Sequence, residues 1–334
     1  MRITEQVWPE RVNPVVSICS TSYNNEIFIR QCLDGFLMQE TTFPVEILIH
    51  DDASTDNTAN IIREYEAQYP HIIKPIYQTE NQFSKNKHLD VIFNFPRARG
   101  EYIALCQGDD YWTAPNKLQT QVDFLESHPD YSGCFHNVNV VYEDGSKSTH
   151  PMFGTPMKDK VTIQDLAVAN CIPTLSILFR ARLFPEFPEW YLRMPIGDWP
   201  LHVLNAEHGD IGYINQNFGA YRIHGNSVWS SLSALEMFRK NIQVAEAIDA
   251  HLRFRYTRAI RKNIAFWHYG IALNMSKEGV DKGISGHLIS SIRNYFFHEE
   301  ISKKAILALF IKHSCPVLYM QLKQVQKALR SIRS

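Results

Sequence analysis

The sequence predicts an α/β fold, with a mixed, mostly parallel sheet flanked by helices and a helical region at the C-terminal end. Two observations carry this. Short apolar runs alternate with helical spacing through the first half, the pattern of strands joined by crossover helices. From about Ser231 onward the helical pattern holds for some hundred residues, which sets a boundary between 1–230 and 231–334.

Each element follows in order. Val15-Val16-Ser17-Ile18-Cys19 is a first strand, and residues 25–39 place Ile29, Leu33, Phe36 and Leu37 at helical spacing. Glu46-Ile47-Leu48-Ile49-His50 is a second strand. It runs into Asp51-Asp52-Ala53-Ser54-Thr55-Asp56, a loop rich in residues that start helices. The helix that follows carries Ile61, Ile62 and Tyr65 and stops near Pro70. Residues 72–77 form a third strand, a helix is expected over 88–99, and 102–106 form a fourth strand. Beyond a helix at 115–127 the pattern changes. Residues 132–142 alternate as a strand and end in Glu143-Asp144-Gly145, a hairpin signal. A short helix at 162–168, a strand at 175–179, a helix at 197–208 ending at Gly209 and a strand over 212–224 complete the first region.

Composition narrows the function classes. Hydrophobic residues make up 45% and charged residues 21%, and the net charge is -1. That is a globular profile without the basic excess of a nucleic-acid binder. The six cysteines are scattered without metal spacing, and several lie in apolar runs. They read as buried free thiols in a reducing compartment. There is no signal-peptide pattern and no run near the ~20 apolar residues of a membrane helix, so a cytoplasmic location is expected. Segment 301–334 has seven Lys/Arg and no Asp or Glu, interleaved with apolar residues. Packing on the body and peripheral contact with anionic lipid are both open readings of it.

The chemistry concentrates at strand ends. In an open α/β sheet, ligands bind beyond the carboxyl ends of the strands. Cys106-Gln107-Gly108-Asp109-Asp110-Tyr111-Trp112 ends the fourth strand with paired carboxylates. Such a pair suits a hard divalent cation, Mn or Mg, holding a phosphate; the bland alternative is a solvated acidic turn. Asp51-Asp52 ends the second strand on the same edge, and Thr21-Ser22-Tyr23-Asn24 follows the first. Asp52 is placed to accept hydrogen bonds from a base or ribose, and Thr21 and Tyr23 to line the base, although packing and turn roles explain each alone. Neither GxGxxG nor GxxxxGK[ST] occurs, so a nucleotide would be held by other means.

Together these segments resemble the family 2 glycosyltransferases, inverting enzymes of the GT-A (Rossmann-like) fold. The resemblance rests on Val16-Ser17-Ile18-Cys19-Ser20-Thr21-Ser22-Tyr23-Asn24 and Ile49-His50-Asp51-Asp52-Ala53-Ser54-Thr55-Asp56. It continues through Gly100-Glu101-Tyr102-Ile103-Ala104, Gly108-Asp109-Asp110-Tyr111-Trp112 and Pro115-Asn116-Lys117-Leu118. It spans roughly 13–226, with a nucleotide-binding half over 13–112 and an acceptor half over 113–230. It implies nucleotide contacts from Thr21, Tyr23, Asp52 and Asp109, and metal binding by Asp110 in the place of the family's DXD motif. Here Gln107-Gly108-Asp109-Asp110 replaces a literal Asp-X-Asp. Pro195-Ile196-Gly197-Asp198-Trp199 resembles the segment that supplies the catalytic base, Asp198, for which a helix N-cap is the competing role. Tyr221-Arg222-Ile223-His224 resembles a late segment whose His224 approaches the metal. Lys85 and Lys87 are candidate donor contacts, Asn170-Cys171-Ile172-Pro173-Thr174 a candidate acceptor wall, and Trp112, Trp190 and Trp199 either sugar-stacking or core residues.

The implied activity is metal-dependent transfer of a sugar from a nucleotide-diphosphate donor, UDP-linked, to a saccharide or lipid-linked saccharide in surface-glycan synthesis. A sugar nucleotidyltransferase and a non-catalytic nucleotide-sugar binder are the competing readings. The first would show a Gly-rich N-terminal loop, which 15–25 lacks; the second would lack Asp110 or Asp198, and both are present.

Overall fold

The computed structural model of the chain describes residues 1–9, 11–155, 157–227, 229–280, 282–295, 302–314 and 319–320. Two compact units divide the chain, Met1–Ser230 and Ser231–Ser334.

The first unit is built on one mixed sheet. Its strands are β1 (Val16–Ser22), β2 (Val45–Asp51), β3 (Ile73–Tyr77), β4 (Tyr102–Leu105), β5 (Tyr111–Trp112), β6 (Gly133–Tyr142), β7 (His150–Pro151), β8 (Lys160–Val161), β9 (Leu178–Arg180) and β10 (Ile211–Ile223). The main order is β3-β2-β1-β4-β9-β6-β10-β5. Strands β3, β2, β1 and β4 are mutually parallel, so their carboxyl ends share one edge. Their connections cross by helices α1 (Ile29–Leu37) and α2 (Thr58–Gln68). Strand β9 runs antiparallel between β4 and β6, and the long pair β6–β10 is parallel with bulged register between Ile214 and Gly219.

Burial explains the arrangement. Val16, Ile18, Ile47 and Ile49 are shielded on the sheet, and Ile29, Leu33 and Phe36 project from α1 into the same core. Central parallel strands covered on both faces read as continuous apolar runs, as here. Each such Ile, Leu or Phe contributes roughly 1.5–3 kcal/mol. Trp112 is core: its ring meets Phe36 edge-on at 4.8 Å and its indole N–H donates to the Leu175 carbonyl at 2.8 Å. Trp199 is also buried, its N–H bonded to Leu166 O at 2.6 Å. The five described cysteines are free, four of them buried.

One expected element differs. Residues 88–99 do not form an α-helix; Asp90–Asn94 make a π-helical turn and Phe95–Arg97 a 3-10 turn. Pro96 is the physical reason, since it has no N–H to donate and its ring crowds the preceding turn. The Phe95 N–H bonds back to the Asp90 carbonyl, five residues away. Further on, α3 (Lys117–Ser127), α4 (Ile163–Val168) and α6 (Asp198–Ala206) lie close to the expected ranges, α5 (Glu189–Leu192) is a further short helix not expected from the sequence, and Thr162 caps α4 reciprocally with Asp165.

The second unit contains α7 (Ala234–His251), α8 (Thr257–Lys277), α9 (Ile284–Asn294) and α10 (Lys303–Ser314). Ser233 and Glu236 form a capping box at the start of α7. Ile248, Ile264, Ile271 and Leu288 are buried within this unit. No helix among the described residues is long and apolar enough to cross a membrane. Most of segment 301–334 beyond α10 lies outside the described residues.

Candidate active site

The parallel strands deliver their loops to one edge. Asp52 N–H donates to Ser22 O at 2.9 Å and Gly108 N–H to Thr21 O at 2.9 Å, which ties the loops after β2 and β4 to that after β1. Gly108 is required there, because a Cβ would lie 2.6 Å from the Ser22 hydroxyl. Asn24 and Ala53 adopt left-handed φ of 52° and 61°, sharp turns just past the first and second strands. Such strained positions cluster at functional sites.

Asp109 and Asp110 occupy different surroundings. Asp110 is 4% exposed and accepts from the Arg222 backbone N–H at 2.8 Å. Burial and then the neighbouring Asp109 charge push its carboxyl well above the usual range, opposed by Arg222. Asp109 is partly exposed, and its Oδ2 lies 3.2 Å from His224 Nε2. The Arg222 guanidinium anchors this loop from behind. It donates to the Asp109 carbonyl at 2.8 Å, to Glu143 at 2.7 Å and to Gln31, and it lies over the Tyr111 and Phe28 rings. No local pattern in the sequence reveals the role of Arg222, because its partners lie up to 191 residues away.

Thr21 gives both its N–H (2.8 Å) and its hydroxyl to Gln107 Oε1. Tyr23 stands 46% exposed at the rim. Asp52 is 1% exposed, and its two oxygens accept from the Gln82 and Phe83 N–H groups at 2.7 and 2.9 Å. The 82–83 turn therefore covers it. Lys85 pairs with Glu80, and Lys87 lies over the Phe83 ring, both on this exposed loop.

Asp198 is the first residue of α6, and Gly197 is the N-cap. The N-cap role therefore belongs to Gly197. The Asp198 carboxylate accepts from Asn170 Nδ2 at 2.9 Å. Burial raises its pKa, opposed by bonds from the Trp199 and Asp198 amides and from Asn170 and Thr174. Asn170, expected only as a wall, thus contacts the base candidate itself. Behind it, His88 Nε2 donates to Met194 O at 3.1 Å, while Nδ1 has no partner among the described residues. A Cβ on Gly197 would come 2.9 Å from that nitrogen, so glycine lets the base segment seat against His88.

Tyr221 relates the two ends of the site. Burial raises its phenol pKa first, and Asp110, Asp109 and Asp198 raise it further. The paired carboxylates and the base candidate thus all act electrostatically on the Tyr221 phenol. The carboxylate oxygens of Asp109 and Asp110 are hard donors of the kind that fit Mg²⁺ or Mn²⁺. Among the described residues no three His, Cys, Asp or Glu form a ready-made cage. Cations of this kind are commonly held by one or two carboxylates with substrate phosphates completing the shell.

Residues 17–183 match the model of Glycosyl transferase family 2. The chain belongs to that family. It is 44% identical over 218 residues to an uncharacterized protein of Mycobacterium tuberculosis, covering 65% of this chain and 61% of that relative's length. It is 26% identical over 226 residues to TuaG of Bacillus subtilis, a glycosyltransferase named for teichuronic acid biosynthesis, covering 65% and 82%. In fold it resembles residues 1–349 of Staphylococcus aureus TarS, solved with UDP-GlcNAc, at a TM-score of 0.60 and 16% identity over 90% of this chain and 87% of that one. The mixed sheet flanked by helices is thus the GT-A type of architecture expected for a family 2 glycosyltransferase.

Proposed function

We propose that this family 2 glycosyltransferase is a metal-dependent inverting enzyme. It moves a sugar from a nucleotide-diphosphate donor to a saccharide or lipid-linked saccharide during surface-polysaccharide synthesis. The observation that carries the reading is the paired carboxylate turn at the end of β4, on the edge shared by the parallel strands, with Asp110 held by the Arg222 N–H at 2.8 Å and Asp109 3.2 Å from His224. An in-line displacement needs the leaving diphosphate on one side of the sugar and a base for the acceptor hydroxyl on the other. A divalent cation held by Asp110, with Asp109 and His224 beside it, would supply positive charge to the leaving diphosphate. Asp198 takes the acceptor proton, a step that its raised basicity favours. Arg222 fixes the carboxylate loop, and Thr21, Tyr23 and Asp52 line the nucleotide end. The name of TuaG supports a polysaccharide setting. UDP-linked donors come first for testing because TarS, of the same fold, was solved with UDP-GlcNAc. The decisive experiment is a donor screen with purified protein and saccharide acceptors, reading release of UDP, GDP, dTDP or CMP with and without Mn²⁺. Absence of release from every donor would overturn the proposal.

Asp52→Ala should weaken nucleoside-diphosphate binding by about tenfold, more than Asp198→Ala does. Hydrogen bonds to a charged group are worth roughly 1.5–3 kcal/mol, and about 1.4 kcal/mol is tenfold. Calorimetry checks this; equal affinities for Asp52→Ala and wild type would remove Asp52 from the nucleotide site.

The basic segment 301–334 is proposed to contact anionic lipid, which contributes about 1 kcal/mol per Lys or Arg near the surface. Lys303, Lys304 and Leu307 of α10 are exposed. Flotation with phosphatidylglycerol vesicles should carry the protein at low salt but not at high salt. Protein that stays at the bottom at low salt would refute the contact.

A further inference from the structure

Gln107 stands where a first carboxylate of the acidic motif would be, and both ends of its carboxamide are bonded. Oε1 accepts from the Thr21 N–H and hydroxyl, and Nε2 donates to Asp90 Oδ2 at 3.0 Å. The carboxylate that Gln107 binds comes from a different element, the π-helical turn that begins at Asp90. Turns of this type recur at functional sites.

Asp90 is held but not exhausted. Its Oδ1 accepts from Asn94 Nδ2 at 2.7 Å, and Asn94 is itself fixed to Ser20 O at 3.1 Å. A carboxylate offers about four acceptor positions, so two remain. The residue is partly open to solvent, although densely surrounded. Burial raises its pKa, opposed by Asn94, Gln107 and Arg97. Its field also reaches the base side. The Tyr191 hydroxyl donates to Gly197 O at 3.1 Å, and after burial its pKa is raised by Asp198 and Asp90. Asp90 is bonded to Gln107, and His88, two residues before it, packs against Gly197 next to Asp198, so this short segment runs from the Gln107–Asp110 loop to the base segment. In an in-line displacement the interval between those two holds the transferred sugar, with its anomeric carbon between leaving phosphate and incoming oxygen.

We propose that Asp90, on the segment that runs from the Gln107–Asp110 loop to the base segment, accepts a hydroxyl of the transferred sugar and selects neutral sugars over uronic acids by its charge. This rests on the nucleotide-sugar reading above. Opposing like charges cost several kcal/mol, so discrimination of at least about tenfold follows.

The test measures affinities of wild type, Asp90→Asn and Asp90→Glu for UDP, UDP-glucose, UDP-N-acetylglucosamine and UDP-glucuronate with Mn²⁺. Wild type should bind the better neutral donor at least tenfold more tightly than UDP-glucuronate. Asp90→Asn should hold UDP within about twofold of wild type while this ratio collapses toward one, and Asp90→Glu should largely restore it. A residue that merely fastens the turn predicts something else: UDP and all three sugar donors weaken together and the ratio stays. That outcome overturns the proposal, as does a wild type indifferent to the uronate charge. Failure of wild type to bind UDP or any of the three UDP-sugars would instead overturn the UDP-donor reading, and this inference with it.

Discussion

Asp110→Asn should lose about three orders of magnitude in sugar transfer without losing stability. The charge that a cation brings to a leaving diphosphate is worth several kcal/mol, and each 1.36 kcal/mol is a factor of ten in rate. The fold should tolerate the change. The side-chain oxygen that accepts from Arg222 N–H at 2.8 Å survives in Asn. What disappears is a negative charge that is 4% exposed and repelled by Asp109. Removing it should leave the melting temperature of the metal-free protein unchanged or higher, the opposite sign from the effect on activity. Strained or repulsive groups at active sites commonly trade stability for function in this way. Thermal melts add a second readout. Mn²⁺ with a nucleoside diphosphate should raise the melting temperature of wild type, as any ligand of the folded state does, and should fail to raise that of Asp110→Asn. Full transfer by wild type after thorough chelation, or by Asp110→Asn, would defeat the metal assignment.

The difference between what could be read early and what could not lies in contact distance along the chain. The Asp109–Asp110 pair was legible because an apolar strand ends there and Gly108 permits the close approach to Ser22. Strand ends of a parallel sheet share an edge, so Thr21, Asp52 and Asp110 could be placed on one rim from pattern alone. The parallel strands followed from short continuous apolar runs and the helical second unit from a periodicity of 3.6. Pairings that join distant segments left no such trace. Arg222 reaches Asp109, Glu143 and Gln31 from the end of β10, and nothing in Tyr221-Arg222-Ile223 distinguishes an anchoring arginine from an exposed strand residue. Asp90 was hidden for another reason. Its segment has helical periodicity, but Pro96 and the Phe95–Asp90 hydrogen bond convert it to a wider turn, which re-aims the carboxylate toward Gln107. The covering of Asp52 by the Gln82 and Phe83 amides belongs to the same class, a contact between a strand end and a polar loop thirty residues on.

Asp198→Asn should bind donor as wild type does and lose turnover by roughly 10²–10⁴-fold, the range for loss of a general base. Two roles compete for this residue, and the structure separates them in a testable way. If Asp198 served only to start α6, Asn would serve nearly as well, since the two residues cap alike. Gly197 already occupies the capping position, and Asp198 begins the helix itself. Its carboxylate is instead gathered by Asn170 and by the first-turn amides, with burial pushing its pKa up from 3.8. A group so placed holds a proton better than a free aspartate, which favours proton transfer from the acceptor hydroxyl. The pH profile carries the sign. Only the ionised form accepts the proton, so turnover should fall as pH drops through the raised pKa, on an acid limb that lies above the ordinary Asp value. Losing the Asn170 hydrogen bond in Asn170→Ala removes a stabiliser of the ionised form, so that limb should move to higher pH while donor affinity stays. Near-wild-type turnover in Asp198→Asn, or an acid limb unmoved in Asn170→Ala, would take the base role from Asp198 and return it to another carboxylate of the acceptor half.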